Sequence, residues 1–360
     1  MQAQERDGRA DREPRSAPGA DSPRLSVVIP VLDEARDLGA LLDQLAEQSF
    51  DGSYEVLVVD GGSSDGTREV VRARAMRWPG LRLLDNPRRR SGPARNLGIC
   101  AARGAYVLFL DGHCRLPRED YLERVVALFE STRADCLSRP QPLDLAEGPW
   151  AEAVAAARHS PLGHNPGSDI YRAEAGYTAP ESAGAAYRHA VFGALGGYDE
   201  RFDACEDVEF NHRVARGGYR CYRHPDLAVG YRPRETPAAL FRQMVRYGRG
   251  RAHLMARHPR MTPWILVGLT AVAVAAVIGA VLRPGPAAVW IGAGAVLYAG
   301  TILVEGRRLA RDRAGALRAA LAFPVIHGGL LLGFWRGSAE AVYFRPPPAR
   351  PGVPADRTGV

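Results

Sequence analysis

Val107-Leu108-Phe109-Leu110-Asp111-Gly112-His113 is an apolar run that ends on a carboxylate and, two positions further, an imidazole. Its length and residue types fit a buried strand. Residues i and i+2 at the carboxyl end of a strand can point into one crevice, where an open α/β sheet binds its ligand. Asp with His suits a divalent cation, and an ion held by few protein ligands keeps positions open for phosphate oxygens. An Asp capping the next turn beside a surface His is the other reading these residues allow.

Upstream, strand-like and helix-like segments alternate. Apolar strands are expected over 25–30, 54–60, 81–84 and 106–110, and helices over 35–48, 67–77 and 93–103. Such alternation predicts a parallel sheet covered by helices. Two more of the strands end in acids. Val27-Val28-Ile29-Pro30 reaches a residue that cannot continue a central ladder, and Asp33 and Glu34 then open a helix. These acids either favour the helix dipole or face a nucleoside. Asp60 precedes Gly61-Gly62-Ser63-Ser64-Asp65-Gly66-Thr67, a turn that permits close backbone approach but has neither the Walker nor the dinucleotide glycine spacing. Three successive strands ending in acid, at Asp33, Asp60 and Asp111, would line one edge of one sheet.

Arg88-Arg89-Arg90-Ser91-Gly92-Pro93-Ala94-Arg95 precedes the opening strand. Arg88, Arg89 and Arg90 read as a solvated loop, whereas Arg95 near a helix start offers a fixed positive group to a diphosphate. Glu206-Asp207 opens a later helix. The pair supplies either helix-start acidity or, beside a metal and an acceptor hydroxyl, a general base, with Asp207 favoured and Glu206 holding it or the acceptor. In 240–251, Leu240, Phe241, Met244 and Val245 form an apolar face and the arginines a basic one. That pattern is an interfacial helix, and its Gln243, Arg246 and Tyr247 are placed to close over a diphosphate and an acceptor sugar.

The chain has 360 residues and a formal charge of +7, and all 47 of its basic residues are Arg. They are scattered or sit beside apolar runs, without a nucleic-acid module, which points to an anionic membrane surface or a phosphate-bearing substrate. Five cysteines form no Cys-x-x-Cys pair and read as reduced thiols, Cys114 being a weak ligand candidate. The expected organisation is a disordered leader over 1–23 without a signal peptide, a catalytic domain over 24–236 and an amphipathic interface helix over 237–260. A membrane region of two to three helices follows over 261–336, then a disordered tail over 337–360. Trp264 to Leu282 is a charge-free run long enough to cross a bilayer, 287–304 is a second, and 317–335 is a third, interrupted by Arg318, Pro324 and His327. Arginines before the first span and in a loop over 306–318, with only Arg283 on the far side, place the catalytic part in the cytoplasm and the chain in the inner (plasma) membrane.

Together these segments resemble the family 2 glycosyltransferases, whose catalytic domain has the GT-A fold: a mixed, mainly parallel α/β sheet flanked by helices. The resemblance covers about 25–251 plus the membrane tail. It implies a nucleotide-sugar donor bound by Pro30, Asp33, Glu34, Asp60, Asp65, Arg95, Asp111 and Arg246, with Mn²⁺ or Mg²⁺ at Asp111 and His113. It further implies Asp207 as the base, Glu206 beside it, and acceptor contacts from Gln243 and Tyr247. Two departures stand out: His113 replaces an Asp of the Asp-x-Asp motif, and Tyr247 replaces the Trp of Gln-x-x-Arg-Trp. Asp-x-His followed by Pro117, with Arg-Tyr-Gly-Arg-Gly later, is similar to the succinoglycan-biosynthesis glucosyltransferases, which add one sugar to a lipid-linked acceptor. The expected reaction moves a sugar from a UDP-sugar to a polyprenyl-diphosphate-linked saccharide. The alternatives are a membrane-tethered nucleotide-binding scaffold with a degraded metal site, and a nucleotide-sugar pyrophosphorylase, for which no basic nucleotidyl loop is present.

Overall fold

A computed structural model of the chain describes residues 22–143, 146–163, 174–182 and 184–344. Most of the leader and most of the tail expected from the sequence lie outside these residues. The catalytic part runs β1 (Leu25–Val31), α1 (Ala35–Ala46), β2 (Tyr54–Asp60), α2 (Thr67–Ala75), β3 (Leu81–Asp85), α3 (Ser91–Ala101) and β4 (Tyr106–Phe109). It continues with α4 (Tyr121–Thr132), β5 (Cys136–Ser138), α5 (Pro149–His159), β6 (Gly176–Thr178), β7 (Gly184–Arg188), α6 (His189–Leu195), α7 (Glu206–Arg216) and β8 (Cys221–Arg223). Four long helices close the chain: α8 (Pro237–Arg257), α9 (Trp264–Leu282), α10 (Pro284–Leu309) and α11 (Arg313–Glu340).

All the strands join one sheet in the order β3-β2-β1-β4-β7-β5-β8-β6. The β3-β2-β1-β4 half is parallel. β1, β2 and β4 are mainly apolar and buried along almost their whole length because both faces of the sheet are covered. Along β1, Val27 and Ile29 join one core, with Leu38, Leu41, Leu42 and Leu45 of α1, while Val28 joins Leu57 and Val59 in the core on the opposite face. The α1 leucines recur at i, i+3, i+4 and i+7, the spacing that puts them on one helical face. The other half is mixed: β7 runs antiparallel to β4 and β5, β5 is parallel to β8, and β6 is antiparallel to β8. Pro30 stays within β1. It lies past Val28, the last residue of β1 paired with β4, so its missing N–H costs that ladder nothing.

Three helices, α9, α10 and the segment Arg313–Phe344 that begins with α11, are long and apolar enough to cross a membrane. α9 and α10 turn large apolar side chains such as Trp264, Val281, Trp290 and Leu297 outward, and only Arg283 separates the two helices. Three details differ from the sequence expectation. Most of 306–318 is helical, leaving only residues 310–312 between α10 and α11. The third apolar stretch is one continuous helix with Pro324 inside it, and helical structure continues through a 3₁₀ turn to Phe344, into what the sequence suggested was tail. The apolar face of α8 is also covered by protein: Leu240 and Met244 pack with Phe323 and Ile326 of α11 and Val154 of α5.

Glycines set how closely α8 and α11 approach. A Cβ on Gly333 would lie 2.0 Å from the Val245 carbonyl oxygen, and one on Gly248 would lie 2.0 Å from that of Leu330. Gly329, Gly333 and Gly337 recur every four residues, so the backbones touch along one line. Gly333→Leu is expected to force the helices apart, lowering stability by about 1–3 kcal/mol or more, read as an earlier thermal unfolding transition in detergent.

Candidate active site

At the carboxyl ends of β1 and β2, two loops are knitted together. Asp60 is fully buried, and its carboxylate accepts from the Gly62 N–H at 3.0 Å, the Ser63 hydroxyl at 2.5 Å and the Arg68 guanidinium at 2.8 Å. Burial raises the Asp60 carboxyl, but these donors outweigh it and hold the group below its ordinary value. Asp65 accepts from the Ala35 N–H at 3.0 Å and the Thr67 hydroxyl at 2.6 Å, so it caps the start of α1 from a neighbouring loop. Neither acid lines the cleft described below, although both were expected among the nucleotide-binding groups. They build the platform under Asp33. That residue has φ 55°, donates its N–H to the Ser63 hydroxyl at 2.8 Å, and accepts from the Ser64 N–H at 2.8 Å. A left-handed non-glycine residue here is local strain at the cleft edge.

Asp111 and His113 follow β4 directly. Gly112 makes their turn possible, since a Cβ there would lie 3.0 Å from Val31 and 3.2 Å from Glu34. Its close approach sets His113 Nδ1 2.9 Å from Glu34 Oε1. Glu34, expected at a nucleoside, is thus engaged with an imidazole. His113 Nε2 is buried and has no hydrogen-bond partner among the described residues. A ring with one nitrogen on a carboxylate and the other free is the arrangement that metal-bound histidines adopt. Burial raises the Asp111 carboxyl, but His113, Arg95 and Arg139 more than reverse this, keeping it below its ordinary value. Cys114, by contrast, is buried with its thiol pushed up to about 12, which leaves it a neutral core residue. Among the described residues no three His, Cys, Asp or Glu groups gather to hold an ion by themselves.

Arg95, on α3, joins the two halves of the site. Its guanidinium lies 2.5 Å from Glu206 Oε1 and 4.0 Å from Asp111 Oδ1, and it stacks over the Tyr198 ring. Ser91 also hydrogen-bonds Glu206, which is buried. The adjacent Asp207 is exposed to the cleft, and among the described residues it accepts only from the Val208 N–H of its own helix. Cys205, at φ 64°, makes the sharp turn that starts α7 at these two acids. One carboxylate is thereby locked and its neighbour left available.

From α8, Gln243 donates to the Tyr247 hydroxyl at 3.2 Å, whereas Arg246 is held by Asp203, donating to its carbonyl at 2.8 Å. A continuous cleft of about 1860 Å³ runs through all these groups. It is lined by Pro30, Asp33, Glu34, Arg95, Asp111 and His113 at one side and by Glu206, Asp207, Gln243, Arg246 and Tyr247 at the other. It then continues to Trp264, Ile265 and Leu269 of α9 and Ile326 and Leu331 of α11. This volume exceeds what one small ligand fills, leaving room for two. Sequence reasoning missed Tyr231, whose ring meets His113 edge-on at 4.9 Å, and Arg139, which donates to the Phe109 carbonyl at 2.7 Å behind Asp111. It also missed Arg158 and Arg234, which line the cleft, while Arg89 and Arg90, read as a solvated loop, line its edge. Arg139 follows a three-residue strand and Tyr231 lies in a loop, where no periodicity marks a residue.

A parallel sheet carrying acids at its strand ends, joined to a shorter mixed half that brings a second acid pair across the cleft, defines a nucleotide-diphospho-sugar transferase fold. The profile of glycosyl transferase family 2 matches residues 26–144. A succinoglycan biosynthesis protein, ExoA, of Rhizobium meliloti is 34% identical over 86% of this chain and 93% of its own length. Glycosyltransferase AglE of Haloferax volcanii is 28% identical over 68% of this chain and 81% of its own. The fold of a mannosyltransferase from Pyrobaculum calidifontis, solved with GDP-Man and Mn²⁺, superposes with a TM-score of 0.57 at 22% identity, covering 88% of both chains. The chain belongs to glycosyltransferase family 2 and is a glycosyltransferase.

Proposed function

We propose that the protein transfers a sugar, with inversion, from a UDP-sugar to a polyprenyl-diphosphate-linked saccharide in the synthesis of a cell-surface polysaccharide or glycolipid. The observation that carries this reading is the single cleft that runs from Asp111 and His113, past Asp207, to the apolar side chains of α9 and α11. Such a shape suits a polar donor at one end and a lipid-borne acceptor arriving from the membrane at the other. The similarity to a succinoglycan biosynthesis protein supports it. Arginines flanking the apolar helices favour a plasma-membrane chain with its catalytic part cytoplasmic.

Asp207 takes the proton of the acceptor hydroxyl while that oxygen attacks the anomeric carbon and the bond to the nucleoside diphosphate breaks. Glu206, fixed by Arg95 and Ser91, orients the turn that presents Asp207. Arg95 sets positive charge beside the departing diphosphate. Asp33 and Pro30 bound the donor end of the cleft. The orphaned Nε2 of His113 and the carboxylate of Asp111 fit a divalent cation, with Glu34 fixing the ring. When bound, such an ion neutralises the diphosphate's developing charge. A nitrogen ligand favours Mn²⁺ over Mg²⁺, and His113→Asp is expected to shift the preference towards Mg²⁺ in a metal titration of activity.

Membranes containing the full chain, incubated with a panel of labelled UDP- and GDP-sugars, are expected to move label from a UDP-sugar into solvent-extractable lipid. A protein that binds UDP yet neither transfers nor hydrolyses any donor would instead be a scaffold.

A further inference from the structure

The cleft between Asp207 and the membrane helices holds two arginines that the reaction above leaves unused. Arg251 lies one helical turn beyond Tyr247 on α8, about 6 Å along the axis. The α8 backbone is clamped there onto the turn that carries the acid pair. A Cβ on Gly250 would lie 2.6 Å from the Ala204 carbonyl oxygen, and Cys205 Sγ donates to the Tyr247 carbonyl at 3.9 Å. Neighbouring arginines of α8 are tied up: Arg246 by Asp203, and Arg249 by Glu340 at 2.7 Å. Among the described residues no carboxylate pairs with Arg251, which is half-buried and faces the cleft. Arg158, in the last turn of α5, lines the same cleft. Burial raises the Tyr247 phenol, and Arg158 is the strongest group opposing that rise. Four residues after Arg158, the Leu162 carbonyl accepts from His327 of α11 at 2.8 Å, which fixes this corner against the apolar wall. A base, two guanidinium groups and an apolar surface therefore line one cleft.

An amphiphile that carries a hydroxyl, an anion and a hydrocarbon matches these groups. Building on the lipid-acceptor reading, we propose that Arg158 and Arg251 form the site for the acceptor's lipid-linked phosphate, holding it at the neck of the cleft so that the sugar hydroxyl meets Asp207. Guanidinium forks suit phosphate oxygens, and the surrounding low dielectric strengthens each charge-assisted bond.

The test uses the full chain in detergent micelles with farnesyl diphosphate as probe, and UDP binding measured on the same preparations. Arg158→Gln and Arg251→Gln are each expected to weaken farnesyl diphosphate binding about tenfold and leave UDP affinity unchanged, with Arg251→Lys recovering part of the loss. Unchanged farnesyl diphosphate affinity in both Gln variants, or equal loss of UDP binding, overturns the proposal. Inorganic pyrophosphate binding as tightly as the prenyl compound would make this a free-phosphate site, and displacement by phosphatidylglycerol vesicles would make it a headgroup site; either result refutes an acceptor site. A wild type that hydrolyses UDP-sugar while its farnesyl diphosphate binding ignores both arginines refutes this site and leaves the glycosyltransferase standing. A wild type inert towards every donor removes the broader reading instead.

Discussion

Asp207→Asn is expected to lower turnover by about 10²–10⁴ while nucleotide binding survives. The substitution keeps size and shape and removes only the capacity to accept a proton. Its environment makes the expectation specific. Asp207 faces the cleft from the first turn of α7 with no cation on it among the described residues, whereas Glu206 is buried and committed to Arg95 and Ser91. Glu206 is therefore held away from an incoming acceptor hydroxyl, and Asp207 is the carboxylate presented to it. Steady-state kinetics alongside UDP titration separates the outcomes. Near-normal turnover in a variant that still binds UDP removes Asp207 from the chemistry.

Arg95→Met is expected to be the most damaging single change to the fold of the site, costing about 3–5 kcal/mol. Glu206 would keep its burial and lose its counter-charge, and Asp111 would lose one of the cations that hold it ionised. Stability is read by thermal unfolding in detergent. A second variant, Arg95→Met with Glu206→Gln, is expected to recover much of the loss, because the uncompensated buried charge is then gone. Equal unfolding temperatures for Arg95→Met and the wild type would mean that the link between the two halves of the cleft carries no weight.

The parallel half of the fold was legible because its physics is local. Strands buried on both faces read as mainly apolar runs, and the leucines of α1 mark one apolar face. The other half was not, because β5, β6 and β8 have three residues each. A strand that short shows no alternation and takes its pairing from tertiary context. Site residues divide in the same way. Asp111, His113, Glu206 and Asp207 stand at element ends that the sequence marks, Gln243 and Tyr247 lie one turn apart within the amphipathic pattern of α8, and the cleft gathers them all. Asp60 and Asp65 also stand at marked ends, yet their oxygens are spent on backbone and hydroxyl donors, a use that a strand-end acid serves equally well. The basic face of α8 suggested a helix lying on a bilayer. The glycine spacing on α11, which seats α8 against another helix, became meaningful only once the two were seen together.

Release of nucleoside diphosphate from a UDP-sugar by the purified full chain, before and after chelation, tests most directly whether Asp111, His113, Arg95 and Asp207 form one metal-dependent transfer site. The account predicts release that disappears on chelation, returns with Mn²⁺ and stays absent in Asp111→Asn. Release that survives chelation, or that Asp111→Asn sustains at the wild-type rate, would contradict it.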